Sequence, residues 1–114
     1  MNVVTLEVRS LADTLSDVAL AMETGVASSP HLAFETPELL FKVLTAKRWE
    51  LLRTMAGAGP MTIREAARRV GRDVKAVHGD VTALLNTGIL DKKADGKIVF
   101  PFDAVHVDFM LKVA

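Results

Sequence analysis

The chain has 114 residues, half of them apolar and a quarter charged, with 14 basic and 14 acidic side chains and no cysteine. That size suits one domain, or a small domain with an extension, able to bury a modest core unaided. The composition excludes disulfides and thiolate metal sites. No apolar run approaches the ~18 residues of a membrane span, and MNVVTLEVRS lacks the basic-then-apolar order of a signal peptide, so a cytoplasmic location is expected.

In chain order, residues 3–8 (VVTLEV) are β-branched and partly alternating, which predicts a short strand with Val4, Leu6 and Val8 on one face. Residues 10–24 place Leu11, Leu15, Val18, Ala19 and Met22 at helical spacing, and Gly25 stops that helix. His31 to Glu35 reads as a second short strand. Thr36-Pro37-Glu38 supplies an N-cap and a proline at the first helical position, so a helix starts there and covers Leu39, Leu40, Val43 and Leu44. Thr45 caps the next helix, in which Trp49, Leu52 and Met55–Ala56 form one stripe and Leu51 adds breadth. Trp49 and the methionines are expected in the core. Gly57, Gly59 and Pro60 end that helix.

A helix from Thr62 to Val70 follows, then Gly71-Arg72-Asp73, then a helix capped by Asp73 and ended by Asn86-Thr87-Gly88. Two helices joined by a tight glycine-containing turn are the unit that lays its second helix in a DNA major groove. The next stretch, ILDKKADGKIVF, reads as two strands around Ala94-Asp95-Gly96, Asp-Gly being a strong hairpin signal. The expected fold is therefore α+β, mainly α: a winged helix-turn-helix over 36–103, with a strand–helix extension over 1–35. The tail, 104–114, alternates strictly. It puts Val105, Val107, Phe109, Leu111 and Val113 on one face, against His106, Asp108, Met110 and Lys112 on the other. A lone strand needs a partner. It can pair with the first strand or across a two-fold axis, and a homodimer held by the tail and the extension is the expectation.

Charge is unevenly placed. Residues 1–41 hold one base and six acids, residues 42–75 nine bases and three acids, and residues 76–114 four bases and five acids. A basic block on the helix-turn-helix points to an anion-binding surface on a neutral chain. In the second helix, Val74, Val77, Val81, Leu84 and Leu85 should be buried. That leaves Lys75, Ala76, His78, Gly79 and Thr82 outside. Lys75 suits a phosphate or a guanine edge, and His78 and Thr82 can hydrogen-bond bases. Arg72 suits a phosphate at the helix start. Arg64, Arg68 and Arg69 fit the backbone-crossing first helix, and Lys92, Lys93 and Lys97 fit an adjacent groove. Ala76 and Gly79 offer no hydrogen bonds, so dense direct readout is not expected. No P-loop, GxGxxG or HExxH occurs. The three histidines, His31, His78 and His106, are scattered, and His106-x-Asp108 lacks a third ligand nearby. An enzyme, a metal site and a cofactor are not expected.

The elements LTAKRWELL, GPMTIREAARRVGRD, VKAVHGDVTALLNTGIL, DGKIVFPFD and VHVDF resemble, in order and spacing, a family of small prokaryotic MarR-like winged-helix proteins regarded as DNA-binding transcriptional regulators. The resemblance covers residues 34–109. It implies a DNA-binding regulator that represses by occupying a promoter. Some members are encoded beside small toxin-like proteins. The resemblance therefore also implies an alternative, an antitoxin that binds a cognate toxin protein and autoregulates its operon.

Overall fold

The computed structural model describes residues 2–9 and 30–110; the helix expected over 10–24 and the tail residues Leu111 to Val113 lie outside them. The elements are β1 (Val3–Val8), β2 (His31–Phe34), α1 (Pro37–Val43), α2 (Ala46–Met55), α3 (Ile63–Val70), α4 (Val74–Thr87), β3 (Asp91–Lys92), β4 (Ile98–Val99) and β5 (Ala104–Asp108). The class is α+β, as expected: the described residues form four helices with a three-stranded sheet, order β2-β1-β5, and a two-stranded hairpin, β3-β4. None of these helices is long and apolar enough to cross a membrane.

The helix starts follow the sequence closely. Thr36, Thr45 and Thr62 each accept a backbone N–H through the side-chain hydroxyl, from Leu39, Arg48 and Glu65 respectively, a contact worth about 1 kcal/mol apiece. Asp73 holds the N-cap position of α4 with extended backbone, but its side chain makes no capping bond. Both later helices stop the same way. Gly71 and Gly88 take left-handed φ values of 68° and 89°. The following N–H groups turn back, Arg72 to the Ala67 carbonyl and Ile89 to that of Leu84, each at 3.1 Å. Only glycine enters that region without steric cost.

Both outer strands run parallel to β1. Val4 lies opposite Val105, and Leu6 lies opposite both Leu32 and Val107. The alternation expected of VVTLEV is realised: Val4 and Leu6 are buried, while Val3, Thr5 and Glu7 are only partly covered. The tail's partner is thus β1 of the same chain. Asn2 fastens the join: its N–H donates to Asp103 Oδ2 at 2.8 Å and its side-chain amide to the Pro101 carbonyl at 3.0 Å. The inner face of this sheet and the helices share one core, in which Val4, Leu6, Leu40, Leu51, Met55, Val77, Val81, Leu84, Ile89 and Ile98 are buried.

Three expectations fail. Trp49 is 38 % exposed rather than buried, and Val74 is 42 % exposed. Trp49 falls beside the α2 stripe made by Leu51, Leu52 and Met55, and Val74 sits in the first turn of α4, before the buried stripe begins at Val77. Among the methionines, Met55 and Met61 are core, but Met110 is largely exposed because it lies beyond the end of β5. The hairpin is also shorter than ILDKKADGKIVF suggests. Its Asp95 keeps negative φ while Gly96 takes 86°. Gly96 N–H donates to the Lys93 carbonyl and Lys93 N–H to that of Lys97. That is a wider loop with glycine in the left-handed position, not a two-residue turn.

Candidate functional site

α3 and α4 are joined by three residues, Gly71 to Asp73, and pack on each other through Ala66, Ala67, Val77 and Val81. The hairpin is tied to the same unit. Met61, immediately before α3, exchanges two backbone hydrogen bonds with Ile98, at 2.9 and 2.8 Å. α3, α4 and the hairpin therefore form one block with fixed relative positions.

The outer side of α4 is as the spacing predicted: Lys75, Ala76, His78, Gly79 and Thr82 are exposed. A Cβ built on Gly79 would meet nothing within 4 Å. No internal packing demands glycine there, although it lowers helix stability by about 1 kcal/mol relative to alanine. The Thr82 hydroxyl donates to the His78 carbonyl one turn back, at 2.8 Å. Its proton is therefore already used, and only its lone pairs face outward.

The expected cations divide into two groups. The first is paired. Arg68 and Arg69 both bond Glu65, at i,i+3 and i,i+4. The two guanidinium hydrogen bonds hold the Glu65 carboxyl down at about 2, from an ordinary 4.5, and the same bond raises the pKa of Arg68. Arg72, expected to reach a phosphate, instead turns inward: its Nη1 donates to Asp80 Oδ2 at 2.8 Å, with the side chain 21 % exposed. A guanidinium held by a carboxylate on the neighbouring helix is a fastener for the turn. In the second group the cationic side-chain groups have no ion-pair or hydrogen-bond partner among the described residues. It comprises Arg64 on α3, Lys75 on α4 and Lys92, Lys93 and Lys97 on the hairpin, all exposed.

Arg48 is the residue the sequence reading missed. Its Nε donates to Asp80 Oδ1 at 3.0 Å, and its Nη1 to the Val43 carbonyl at 3.0 Å. Asp80 thus accepts from α2 on one oxygen and from the α3–α4 turn on the other, while Arg48 also closes the end of α1. Burial pushes the Asp80 carboxyl up, but the bonds from Arg48 and Arg72 outweigh it and hold the group below its ordinary value. Arg48 and Asp80 stand 32 positions apart, beyond any local pattern. The exposed aromatic patch of Phe41, Trp49 and Phe109 escaped for a similar reason. Its members come from α1, α2 and the end of β5, and each looks like core on its own element.

On the outer sheet face, His31 and His106 flank Thr5, and Asp108 lies beside Glu7. Glu7 bonds Arg9 and His31. Among the described residues no group of three or more His, Cys, Asp or Glu side chains is arranged to hold a metal ion.

A family model named HVO_A0114 matches residues 43–107. No curated protein matches the chain.

Proposed function

The chain belongs to the HVO_A0114 family, whose match runs from the last residue of α1 into β5, and we propose that this block is a winged helix-turn-helix that binds double-stranded DNA and regulates transcription, as a repressor. The observation that carries the reading is the union of two features on one rigid unit. An exposed α4 face bears Lys75, His78 and Thr82, and the adjoining hairpin and α3 bear four cations that no carboxylate among the described residues pairs with, Arg64, Lys92, Lys93 and Lys97. In this assignment α4 enters the major groove, the hairpin lysines follow the backbone or the neighbouring groove, and α3 crosses the phosphates. With Ala76 and Gly79 in the middle of the α4 face, most of the affinity comes from phosphates and base choice is modest.

The test is binding to the duplex upstream of the protein's own gene, read by fluorescence anisotropy against an unrelated duplex across a salt series. If Arg64, Lys75, Lys92, Lys93 and Lys97 each neutralise a phosphate, log K falls against log salt with a slope of about −4 to −5. A slope near zero, or no binding at low salt, removes the DNA reading. The antitoxin alternative draws on the family resemblance and on the acidic N-terminal part or terminal strand as the partner-binding segment, and residues 10–29 of that N-terminal part lie outside the described residues. Co-purification of a small neighbouring gene product with the chain would favour it.

A further inference from the structure

β5 closes the three-stranded sheet on one side, and no strand among the described residues pairs with its other edge. On the other side of β1, the Thr5 N–H bonds the Pro30 carbonyl at 3.0 Å and the Arg9 N–H that of Phe34 at 2.9 Å, so the odd-numbered residues of β1 address β2. In a parallel ladder alternate residues turn their backbone groups to opposite neighbours. Val4 and Leu6 therefore address β5, and with Val4 opposite Val105 it is Ala104, His106 and Asp108 that bond β1, while Val105 and Val107 address the other side, where no strand among the described residues takes them. Proteins usually blunt such an edge with lysine, proline or a bulge; the stretch AVHVD has none of these and keeps an unbroken register. Apolar surface continues beside it. Phe109 stands edge-on to Phe41, with centroids 5.4 Å apart. A cavity of about 240 Å³ lies between α2 and β5, lined by Trp49, Leu52, Phe100 and Val105.

We propose that this edge receives a second copy of the chain, β5 against β5, antiparallel, with the two-fold axis at Val107. Side-chain alternation has to be kept across the join, so the axis must pass through a residue. An axis at His106 sets His106 against itself and leaves Asp108 opposite Ala104. An axis at Asp108 sets two carboxylates face to face, which is unfavourable. An axis at Val107 sets His106 opposite Asp108 at both ends, an imidazole N–H against a carboxylate. On the other face it sets Val107 on itself and the second copy's Phe109 over Val105, beside Trp49. The edge is thus complementary to its own copy in charge and in apolar contact, as an isologous interface requires. The interface does not depend on DNA binding, and its test uses none.

The chain has no cysteine, so single cysteines report the register directly. Val107 would form a hydrogen-bonded pair with its copy, Cα atoms about 5.5 Å apart, within disulfide reach. Under mild oxidation Val107→Cys should give covalent dimer as the main product, well above Ala104→Cys, His106→Cys or Asp108→Cys. His106→Asp, on an exposed position, sets like charges at both ends and should weaken the dimer about 10-fold or more by sedimentation. Adding Asp108→Lys should restore it, since the two altered positions face each other. A monomeric wild type at about 100 µM, near the upper end of what weak interfaces tolerate, would overturn the proposal and leave the edge to a foreign strand. A cross-linking maximum at His106→Cys, or a dimer indifferent to His106→Asp, would overturn it equally.

Discussion

Three arginines of α3 and its turn differ from Arg64 and the lysines of α4 and the hairpin in one respect that composition hides. Arg68, Arg69 and Arg72 are bonded to carboxylates, whereas the ammonium groups of Lys75, Lys92, Lys93 and Lys97 have no partner among the described residues. A basic block counted along the sequence treats them alike. For an anion arriving from solution they are not alike, because a paired guanidinium must first give up its carboxylate or bring that negative charge along. Positive charge in this unit is thus split between holding the fold and facing outward.

The comparison breaks first at Asp80. Asp80→Asn should lower unfolding stability by about 2 kcal/mol in urea titrations at neutral pH. That is less than the 3–5 kcal/mol of a fully buried pair, because Asp80, Arg48 and Arg72 retain some solvent contact. The sign with pH follows from the direction of the shift. A carboxyl held below its ordinary 3.8 stabilises the fold above that value, and the contribution is lost as pH falls through the lower folded value. The gap between wild type and variant should therefore narrow below pH 3.8. A gap of constant size would mean that the clamp acts by shape rather than charge.

On the outward-facing side, Lys92→Glu, Lys93→Glu and Lys97→Glu together should weaken duplex binding by about 100-fold near 0.1 M salt and flatten the salt slope by about 3. Circular dichroism should be unchanged, since all three side chains are exposed. Unaltered binding would confine recognition to α3 and α4.

A smaller effect of opposite sign separates the two groups most sharply. Glu65→Gln releases Arg68 and Arg69, so duplex affinity should rise by roughly 3-fold to 10-fold and the salt slope should steepen by 1 to 2. Indifference would mean that the pair already opens on binding. The smallest change belongs to Thr82→Ala. Its hydroxyl proton is engaged by the His78 carbonyl, so preference at any one base should shift by less than about 1 kcal/mol, the low end for a base contact. A larger loss, in competition with single-base operator variants, would show that the hydroxyl rotates toward the groove.

What could be read from the residues was local. The caps at Thr36 and Thr45, two glycine stops, the strand alternation of VVTLEV and the outer face of α4 all depend on neighbours within about four positions, and each is realised. What could not be read joins distant segments. The Arg48–Asp80–Arg72 clamp reassigns Arg72 from the surface to the interior of the unit. Trp49 counted as core because periodicity gives the width of an apolar stripe but not which of its edges stays open. The parallel pairing of β1 with both β2 and β5 also follows from no pattern within either strand, and it makes β1 the middle strand.

That arrangement sets an order of events in folding. Of the described strands β1 is synthesised first and its partner β5 last, with Val3 paired to Ala104. The α3–α4 unit closes through contacts a few residues to a few tens of residues apart, which form early. The sheet must pay the closure entropy of a loop of about 100 residues before its second ladder returns anything. Refolding from denaturant should therefore show helix signal recovering ahead of sheet burial. Until β5 arrives, Val4 and Leu6 stay uncovered on one side, and the nascent chain is most exposed to aggregation at the strand that later becomes the centre of its sheet.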